Sequence, residues 1–309
     1  MKLSVIIVSW KVRELLRACL VSLSRETALP RDAFEIIVVD NDSGDGSDAM
    51  LRAEFPAVRL IASGENLGFG AANNLALPFC SGEFVLLLNP DTSVLPKAVD
   101  MLLARMAARP DIVAIGCRLL NGDGSLQRWT AGAFPTLLNL CTHYLFLDRM
   151  LPRWLRPDPL YLDRDSSLES EVEWVSGACM LLRRKALGEQ IFDRSFFMYG
   201  EDMELCQRLR RDGGKVLYYP AVSVVHYQGA SMRQQRGQVL LSSLQGPRQF
   251  FAMSHGSGQL FMYDLITLTG FLLRWLIHSA AATTGSTRFA DKAASSRHHL
   301  MIAWKLIRS

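Results

Sequence analysis

Apolar and polar positions in the first 120 residues come in blocks. Leu3 to Val8 is an unbroken run rich in β-branched residues, the pattern of a strand buried on both faces. Lys11 to Ser24 follows, with Leu15, Leu16, Cys19, Leu20 and Leu23 at helical spacing. Phe34 to Val39, Val58 to Ile61, Phe84 to Leu88 and Ile112 to Ile115 repeat the strand signature. Between them, Asn66-Leu67-Gly68-Phe69-Gly70 opens a helix that runs through Leu77, and a second helix spans Pro96 to Arg109, with proline suited to its first turn. Strands alternating with helices through short polar loops predict an α/β fold with a mostly parallel, doubly wound sheet. Such sheets bind ligands at the carboxyl ends of their strands. The polar clusters at Ser9, Asp40 to Asp42 and Asn89 to Asp91 all fall there.

The pattern then changes. Asn121-Gly122-Asp123-Gly124 signals a turn, and Phe134 to Leu162 is rich in aromatic residues and prolines. Trp174 to Leu182 reads as a strand holding Gly177, while Val216 to Tyr219 and Val222 to Val225 read as two short strands, the second ending at His226. These segments predict a smaller, mixed-sheet half of the same domain. Within it, Phe196-Phe197-Met198-Tyr199-Gly200 leads into a helix with Leu205 and Leu209 on one face and Glu204 above Arg208 on another. Glu201 and Asp202 occupy its first turn, where free backbone N–H groups and the helix dipole stabilise carboxylates. A surface helix that merely begins with acids fits the same residues. Beyond Gly229 the alternation stops. Leu265 to Ala282 is apolar but interrupted by Arg274 and His278, which predicts an interfacial or core-packed helix rather than a spanning one.

Composition narrows the function classes. With 309 residues, 49% of them hydrophobic, the chain has material for a large core, which excludes global disorder. The formal charge of +4 is unevenly spread: from Ser231 onward nine Lys/Arg face two Asp, a net of +7, which leaves −3 for the part before it. A basic, apolar tail on a near-neutral body suits an anionic membrane surface, not nucleic acid. Six cysteines without a CxxC pair read as buried free thiols in a reducing compartment. The N-terminal apolar run ends at Trp10-Lys11 without a small-residue cleavage site, so it reads as a strand and not a signal peptide.

Some side chains point to chemistry. Asp91, at the end of a buried strand, is placed to hold a divalent cation, for which oxygen ligands and substrate phosphates are the usual partners. Asp40, Asn41 and Asp42 suit hydrogen bonding to a base and ribose, and equally an Asx turn. Gly68 and Gly70 allow close approach to a nucleotide or simply make a tight turn; their spacing is not GxGxxG, so no dinucleotide fingerprint is present. Trp174 fits a sugar-stacking platform and a core tryptophan equally well.

Taken in order, Ser4-Val5-Ile6-Ile7-Val8-Ser9-Trp10, Val38-Val39-Asp40-Asn41-Asp42-Ser43, Asn66-Leu67-Gly68-Phe69-Gly70, Leu88-Asn89-Pro90-Asp91, Trp174-Val175-Ser176-Gly177-Ala178 and Gly200-Glu201-Asp202 resemble the family 2 glycosyltransferases, most nearly their bacterial rhamnosyltransferase-like branch. The resemblance covers about residues 1–230. It implies the GT-A fold, with residues 1–120 as a nucleotide-sugar half, 121–230 as an acceptor half, and 231–309 as a helical tail that associates with membrane or oligomerises, a homodimer included. It implies inverting transfer from a nucleotide-sugar donor, dTDP-rhamnose for this branch, to a lipid-linked saccharide or other cell-envelope glycan. The setting would be the cytoplasm, against the inner face of the membrane. By the same resemblance Asp91 is the last acid of a DxD signature and binds Mn²⁺ or Mg²⁺ with His226, Asn89 standing where the family carries the first acid. Val8, Ser9, Asp40, Asn41, Asp42, Asn66, Gly68 and Asn89 would line the nucleotide pocket. Trp174, Gly177, Ala178 and Glu201 would meet sugar or acceptor, Ser231 and Arg233 would close over the diphosphate, and Asp202 would be the catalytic base. Two alternatives are an inactive nucleotide-sugar-binding scaffold of this fold and a nucleotidyltransferase. Ser9-Trp10-Lys11-Val12-Arg13 lacks the phosphate-loop glycines that the second would carry.

Overall fold

Eleven strands and nine α-helices are described in a computed structural model, over residues 2–30, 32–162, 167–227, 236–284 and 286–308. They divide into two compact units, one built from residues 1–132 and 161–235, the other from 133–160 and 236–309.

The first unit begins with β1 (Leu3–Ser9), α1 (Arg13–Glu26), β2 (Phe34–Asp40), α2 (Ser47–Glu54), β3 (Arg59–Ala62), α3 (Gly68–Ala76) and β4 (Phe84–Leu88). β5 (Thr92–Val94), α4 (Ala98–Ala108), β6 (Ile112–Leu120) and the two-residue β7 (Ala131–Gly132) follow. Helix α4 starts two residues after Pro96, because Lys97 caps it in a left-handed conformation (φ 62°) that breaks the helical path. The aromatic-rich segment contributes α5 (Leu137–Tyr144) to the second unit. The first unit resumes with β8 (Ser170–Glu171), β9 (Trp174–Val175), β10 (Cys179–Arg183), α6 (Glu201–Arg211) and β11 (Lys215–His226).

The main sheet has the order β3-β2-β1-β4-β10-β6-β11-β5, with β8 also paired to β11, and β7 with β9 forms a small antiparallel sheet. β1, β2, β3 and β4 are mutually parallel, β10 runs antiparallel between β4 and β6, and β11 is parallel to β6. The carboxyl ends of β1, β2, β4, β6 and β11 and the amino end of β10 therefore share one edge. Ser9, Asp40, Asn89 to Asp91, Gly177-Ala178 and His226 all lie along it.

Two segments differ from the sequence reading. The run Trp174 to Leu182 is two strands in different sheets, separated by the turn Ser176 to Ala178. Lys215 to His226 is one strand, not two: its pairing with β6 shifts register between Tyr219 and Ser223, where Pro220 cannot donate to the ladder. The core beneath the sheet is aliphatic, from Leu3, Val5 and Ile7 through Leu86 and Leu88 to Leu181 and Val224. All six cysteines are free and five are buried.

In the second unit, α5 packs on α8 (Ser257–Ala282), while α7 (Arg236–Ser254) and α9 (Thr287–Arg308) pack on α8 and on each other. The sequence reading gave only α8 of these three. The charges in α8 are internally partnered. Arg248 holds Asp264 through two hydrogen bonds of 2.7 and 2.8 Å, and Arg274 donates to the carbonyls of Tyr144 and His143 at 2.6 and 2.9 Å. Gly270 lets α5 approach closely: a Cβ there would sit 2.6 Å from that of Tyr144.

Candidate active site

The site assembles along the shared strand-end edge of the first unit. Asn41 N donates to the Ser9 carbonyl at 2.8 Å, so β1 and β2 leave the sheet together. The Asn41 side chain is fully occupied: Nδ2 donates to Asn66 Oδ1 (3.0 Å) and the Gly68 carbonyl (3.2 Å), and Oδ1 accepts from Leu67 N (3.0 Å). Asn41 and Asn66 thus clamp the loop that starts α3, instead of presenting free amides to a base. Ser9 Oγ and Asp40 Oδ1, on paired positions of β1 and β2, are buried without a hydrogen-bond partner. Both atoms are therefore available to a partner at this edge. Burial raises the Asp40 carboxyl above its ordinary value, against hydrogen bonds from Ser43 and with the help of Asp45 and Asp48. Asp42 is exposed with φ 62°, and Val8 contributes a buried strand position.

Gly68 has φ +80°, and a Cβ there would lie 2.3 Å from the Phe197 carbonyl oxygen. Only glycine permits that approach, and Phe69 N uses it to donate to the same carbonyl at 2.9 Å. Asn74 reinforces the junction: its Oδ1 accepts from Ile191 N and Phe192 N (2.8 and 2.9 Å) while its Nδ2 donates to the Phe192 carbonyl (2.7 Å). The strand-end loops are thereby fastened to the segment that leads into α6. That segment ends in two successive left-handed residues, Tyr199 (φ 67°) and Gly200 (φ 86°). Lys11 and Asp42 also carry positive φ, so three of the five such non-glycine residues border this edge. Each costs roughly 1–3 kcal/mol and persists only where the surroundings enforce it.

The turn Ser176 to Ala178 joins the two acidic positions. Asn89 N donates to the Ala178 carbonyl at 2.9 Å, and the Gly177 N–H donates to the Asp202 carboxylate, which also accepts from Met203 N at 2.9 Å. Burial still dominates and raises Asp202 to about 6. Glu201, 5% exposed and with Oε2 unpartnered, is raised to about 8 by burial and by the charge of Asp202. The two acids titrate together, and Glu201, the more enclosed of the two, is the harder to ionise. Tyr199 lies among the acids: burial, then the charges of Glu201, Asp91 and Asp202, push its phenol to about 12.

Asp91 and His226 meet at the ends of β4 and β11, His226 Nε2 lying 3.2 Å from Asp91 Oδ1. Tyr227 N donates to the Asp91 carbonyl at 2.8 Å, which ties the strand ends together. Asn89 Nδ2 is 3.2 Å from the same His226 nitrogen, so this side chain sits beside the Asp91–His226 pair. Among the described residues no group of three His, Cys, Asp or Glu gathers as a metal nest. A carboxylate and an imidazole nitrogen on one edge are a donor set that suits Mn²⁺ or Mg²⁺, whose remaining positions go to phosphate and water. The residues fit the ion.

Other expected positions differ. The Trp174 ring is 2% exposed and packs edge-on against Tyr161 (6.0 Å between centroids), so it is a core tryptophan and offers no stacking face. Gly177 and Ala178 take part through backbone. Ser231 and Arg233 lie outside the described residues. Two residues were missed. Trp129 is 57% exposed and also packs against Tyr161 (6.3 Å), next to Thr130, whose carbonyl accepts from Ser176 N at 2.9 Å. An exposed tryptophan beside the turn Asn121 to Gly124 was the available signal. Gln127 contacts His226 from 99 positions away in sequence, a pairing that no local pattern announces. A separate cavity of about 560 Å³, bordered by Gly82, Glu83 and Arg183 to Lys185, lies at the opposite edge of the sheet and takes no part in this arrangement.

Comparison with known proteins gives three concordant findings. The family described as "Glycosyl transferase family 2" matches residues 4–190. The N-acetylglucosaminyl-diphospho-decaprenol L-rhamnosyltransferase of Mycobacterium tuberculosis is 30% identical, over 99% of this chain and 95% of its own. The rhamnosyltransferase WbbL of Escherichia coli K12 is 26% identical over 63% of this chain and 73% of its own. Among solved structures, the mannosyltransferase PcManGT from Pyrobaculum calidifontis, in complex with GDP-Man and Mn²⁺, superposes with a TM-score of 0.60 at 18% identity, over 98% of this chain and 86% of that one. GalNAc-T7 with UDP, GalNAc and Mn²⁺ gives 0.54 at 18% identity, over 82% and 50%.

Proposed function

The chain belongs to glycosyl transferase family 2, within its rhamnosyltransferase-like branch, and from that premise we propose an inverting, metal-dependent transfer of rhamnose from dTDP-rhamnose to a polyprenyl-diphosphate-linked saccharide. The observation that supports this reading is the turn Ser176 to Ala178, which bonds the Asp202 carboxylate on one side and, on the other, the strand end that carries Asn89 and Asp91. The name of the M. tuberculosis relative supports the sugar and the class of acceptor.

Asp202 takes the proton of the acceptor hydroxyl as that oxygen attacks the anomeric carbon. The bond from that carbon to the donor diphosphate breaks on the opposite face, and the nucleoside diphosphate departs with the electron pair. A single ionised carboxylate suffices for this, unlike the carboxylate pair of a hydrolase. Its native value of about 6 leaves it ionised at neutral pH yet basic enough to accept a proton. Protonated Glu201 keeps a second negative charge away from it and has a hydrogen to donate to substrate. Asp91 and His226 would hold Mn²⁺ or Mg²⁺, which when bound offsets the charge of the leaving diphosphate. Solved neighbours that contain Mn²⁺ support this, and the imidazole favours Mn²⁺. Ser9 and Asp40 supply the unpaired groups for base and ribose, Ser231 and Arg233 remain the proposed diphosphate contacts, and Trp129 replaces Trp174 as the acceptor platform.

The second unit suits a cytoplasmic membrane surface. α8 is long and apolar enough to cross a bilayer by length and composition, but its internally bonded Arg274 and Asp264 favour an interfacial position. It exposes Phe261, Leu265, Leu272 and Leu276 at helical spacing, and α9 adds exposed Trp304 and Lys305.

The test is transfer with Mn²⁺, a panel of nucleotide sugars and a polyprenyl-diphosphate-linked N-acetylglucosamine. Rhamnose from dTDP-rhamnose should appear on the lipid with inverted configuration and be lost with EDTA. Donor binding without transfer to any saccharide would instead indicate a scaffold. Sedimentation with anionic vesicles at low salt checks the membrane surface.

A further inference from the structure

His226 is gripped from the side opposite Asp91. Gln127 Nε2 lies 2.6 Å from the His226 carbonyl oxygen and 3.4 Å from that of Leu120. Both are pure acceptors, so the amide nitrogen must face them; the reversed amide would press two oxygens together at 2.6 Å. Gln127 Oε1 is therefore the atom 3.0 Å from His226 Nδ1, and it can only accept. In the neutral ring the proton must then sit on Nδ1, which leaves Nε2 with a bare lone pair. Nε2 faces Asp91 Oδ1 at 3.2 Å, and Asn89 Nδ2, also at 3.2 Å, is placed to donate to it. Apart from Asn89, this is a lone pair opposite a carboxylate, an arrangement that a cation completes.

We infer that Gln127 is a positioning residue that fixes the Nδ1–H tautomer of His226, so that Nε2 and Asp91 are preset as a two-point cation site. The inference rests on the metal-dependent reading above. Gln127 can do this because it cannot move: it is 4% exposed, its N–H donates to the Leu119 carbonyl at 2.9 Å, and its carbonyl accepts from Thr130 Oγ1 at 2.7 Å. The hairpin around Asn121 to Ser125, closed by the Leu120–Leu126 bridge, delivers it beneath the end of β11. Partners that orient a ligating histidine typically contribute roughly 10- to 100-fold to metal affinity.

Two substitutions separate positioning from mere structure. Gln127→Met fills the same space without acceptor or donor, whereas Gln127→Glu, its second carboxyl oxygen protonated toward the two carbonyls, keeps both the acceptor for Nδ1–H and a donor. Mn²⁺ alone is titrated into each protein and read from the electron paramagnetic resonance of the free aqueous ion. Nitrogen-detected NMR of ¹⁵N-histidine-labelled protein reports which ring nitrogen His226 deprotonates. Positioning predicts Mn²⁺ binding roughly 10- to 100-fold weaker in the Met variant, with the Glu variant closer to wild type. It also predicts that wild-type His226 retains the Nδ1 proton and that this preference is lost in the Met variant. A Glu variant at least as impaired as Met, or a wild-type ring that keeps its proton on Nε2, overturns the inference. If wild-type protein takes up no Mn²⁺ yet keeps the Gln127-dependent tautomer, the positioning stands and the metal-dependent reading falls.

Discussion

Replacing Glu201 with glutamine removes an acid that the fold makes hard to ionise. Its ordinary value is 4.5 and its native value about 8, a gap of about 3.5 pH units. Each unit is worth ~1.36 kcal/mol, so the gap amounts to at most about 5 kcal/mol, and less in practice because Asp202 shares the repulsion and the two acids titrate together. Between these values the native protein holds the proton more tightly than the unfolded chain. Stability supplied by that proton is complete below about pH 4.5 and is lost as pH rises through about 8. Glutamine mimics the protonated carboxyl and escapes the loss. Urea unfolding of both proteins at pH 5 and pH 8.5, followed by tryptophan fluorescence, should therefore give similar stabilities at the lower pH and a variant more stable by a few kcal/mol at the higher one. Taking the difference between variant and wild type largely cancels the other carboxylates. A difference independent of pH, or one that favours wild type at pH 8.5, would refute the buried, proton-sharing pair.

Three further substitutions probe separate parts of the site. Asp202→Asn should lower turnover roughly 10²- to 10⁴-fold with donor affinity unchanged in calorimetry; wild-type kcat/KM should fall as pH drops through about 6, as that carboxylate is protonated. Gly68→Ala should destabilise more than Gly44→Ala in thermal unfolding and raise the donor KM, because both residues have positive φ but only position 68 also faces a carbonyl oxygen at 2.3 Å. The backbone penalty common to both is about 1–2 kcal/mol. Trp129→Ala should raise the acceptor KM roughly two- to tenfold, the scale of one lost aromatic contact, with the donor KM unmoved in steady-state assays.

The parallel half was legible because β1 and β4 are buried along their whole length, β2 at Ile37 to Val39, and all three read as largely apolar runs. The ligand-binding edge followed from their polar ends. Features set by a single backbone dihedral were not legible: nothing in Pro96-Lys97 announces that Lys97 turns left-handed and delays α4. Trp174 to Leu182 is as apolar as one strand, and its break at Ser176 to Ala178 exists because Gly177 N–H and the Ala178 carbonyl bond to Asp202 and Asn89. Asn41 looked like a ligand contact from its neighbours, yet its amide is consumed by Asn66, Leu67 and Gly68. α7 and α9 lack a sharp apolar stripe, and Pro247 lies inside α7, so they were hidden among polar residues. Gln127 was out of reach because its partner is 99 residues distant.

The most direct measurement is a crystal structure of the Asp202→Asn protein with Mn²⁺ and the nucleotide sugar that it binds. The ion should rest on Asp91 and His226 and touch the donor diphosphate, with the anomeric carbon open toward residue 202. A donor seated away from the strand-end edge, or an ion held by other residues, would contradict the shared cleft of Asp91 and Asp202.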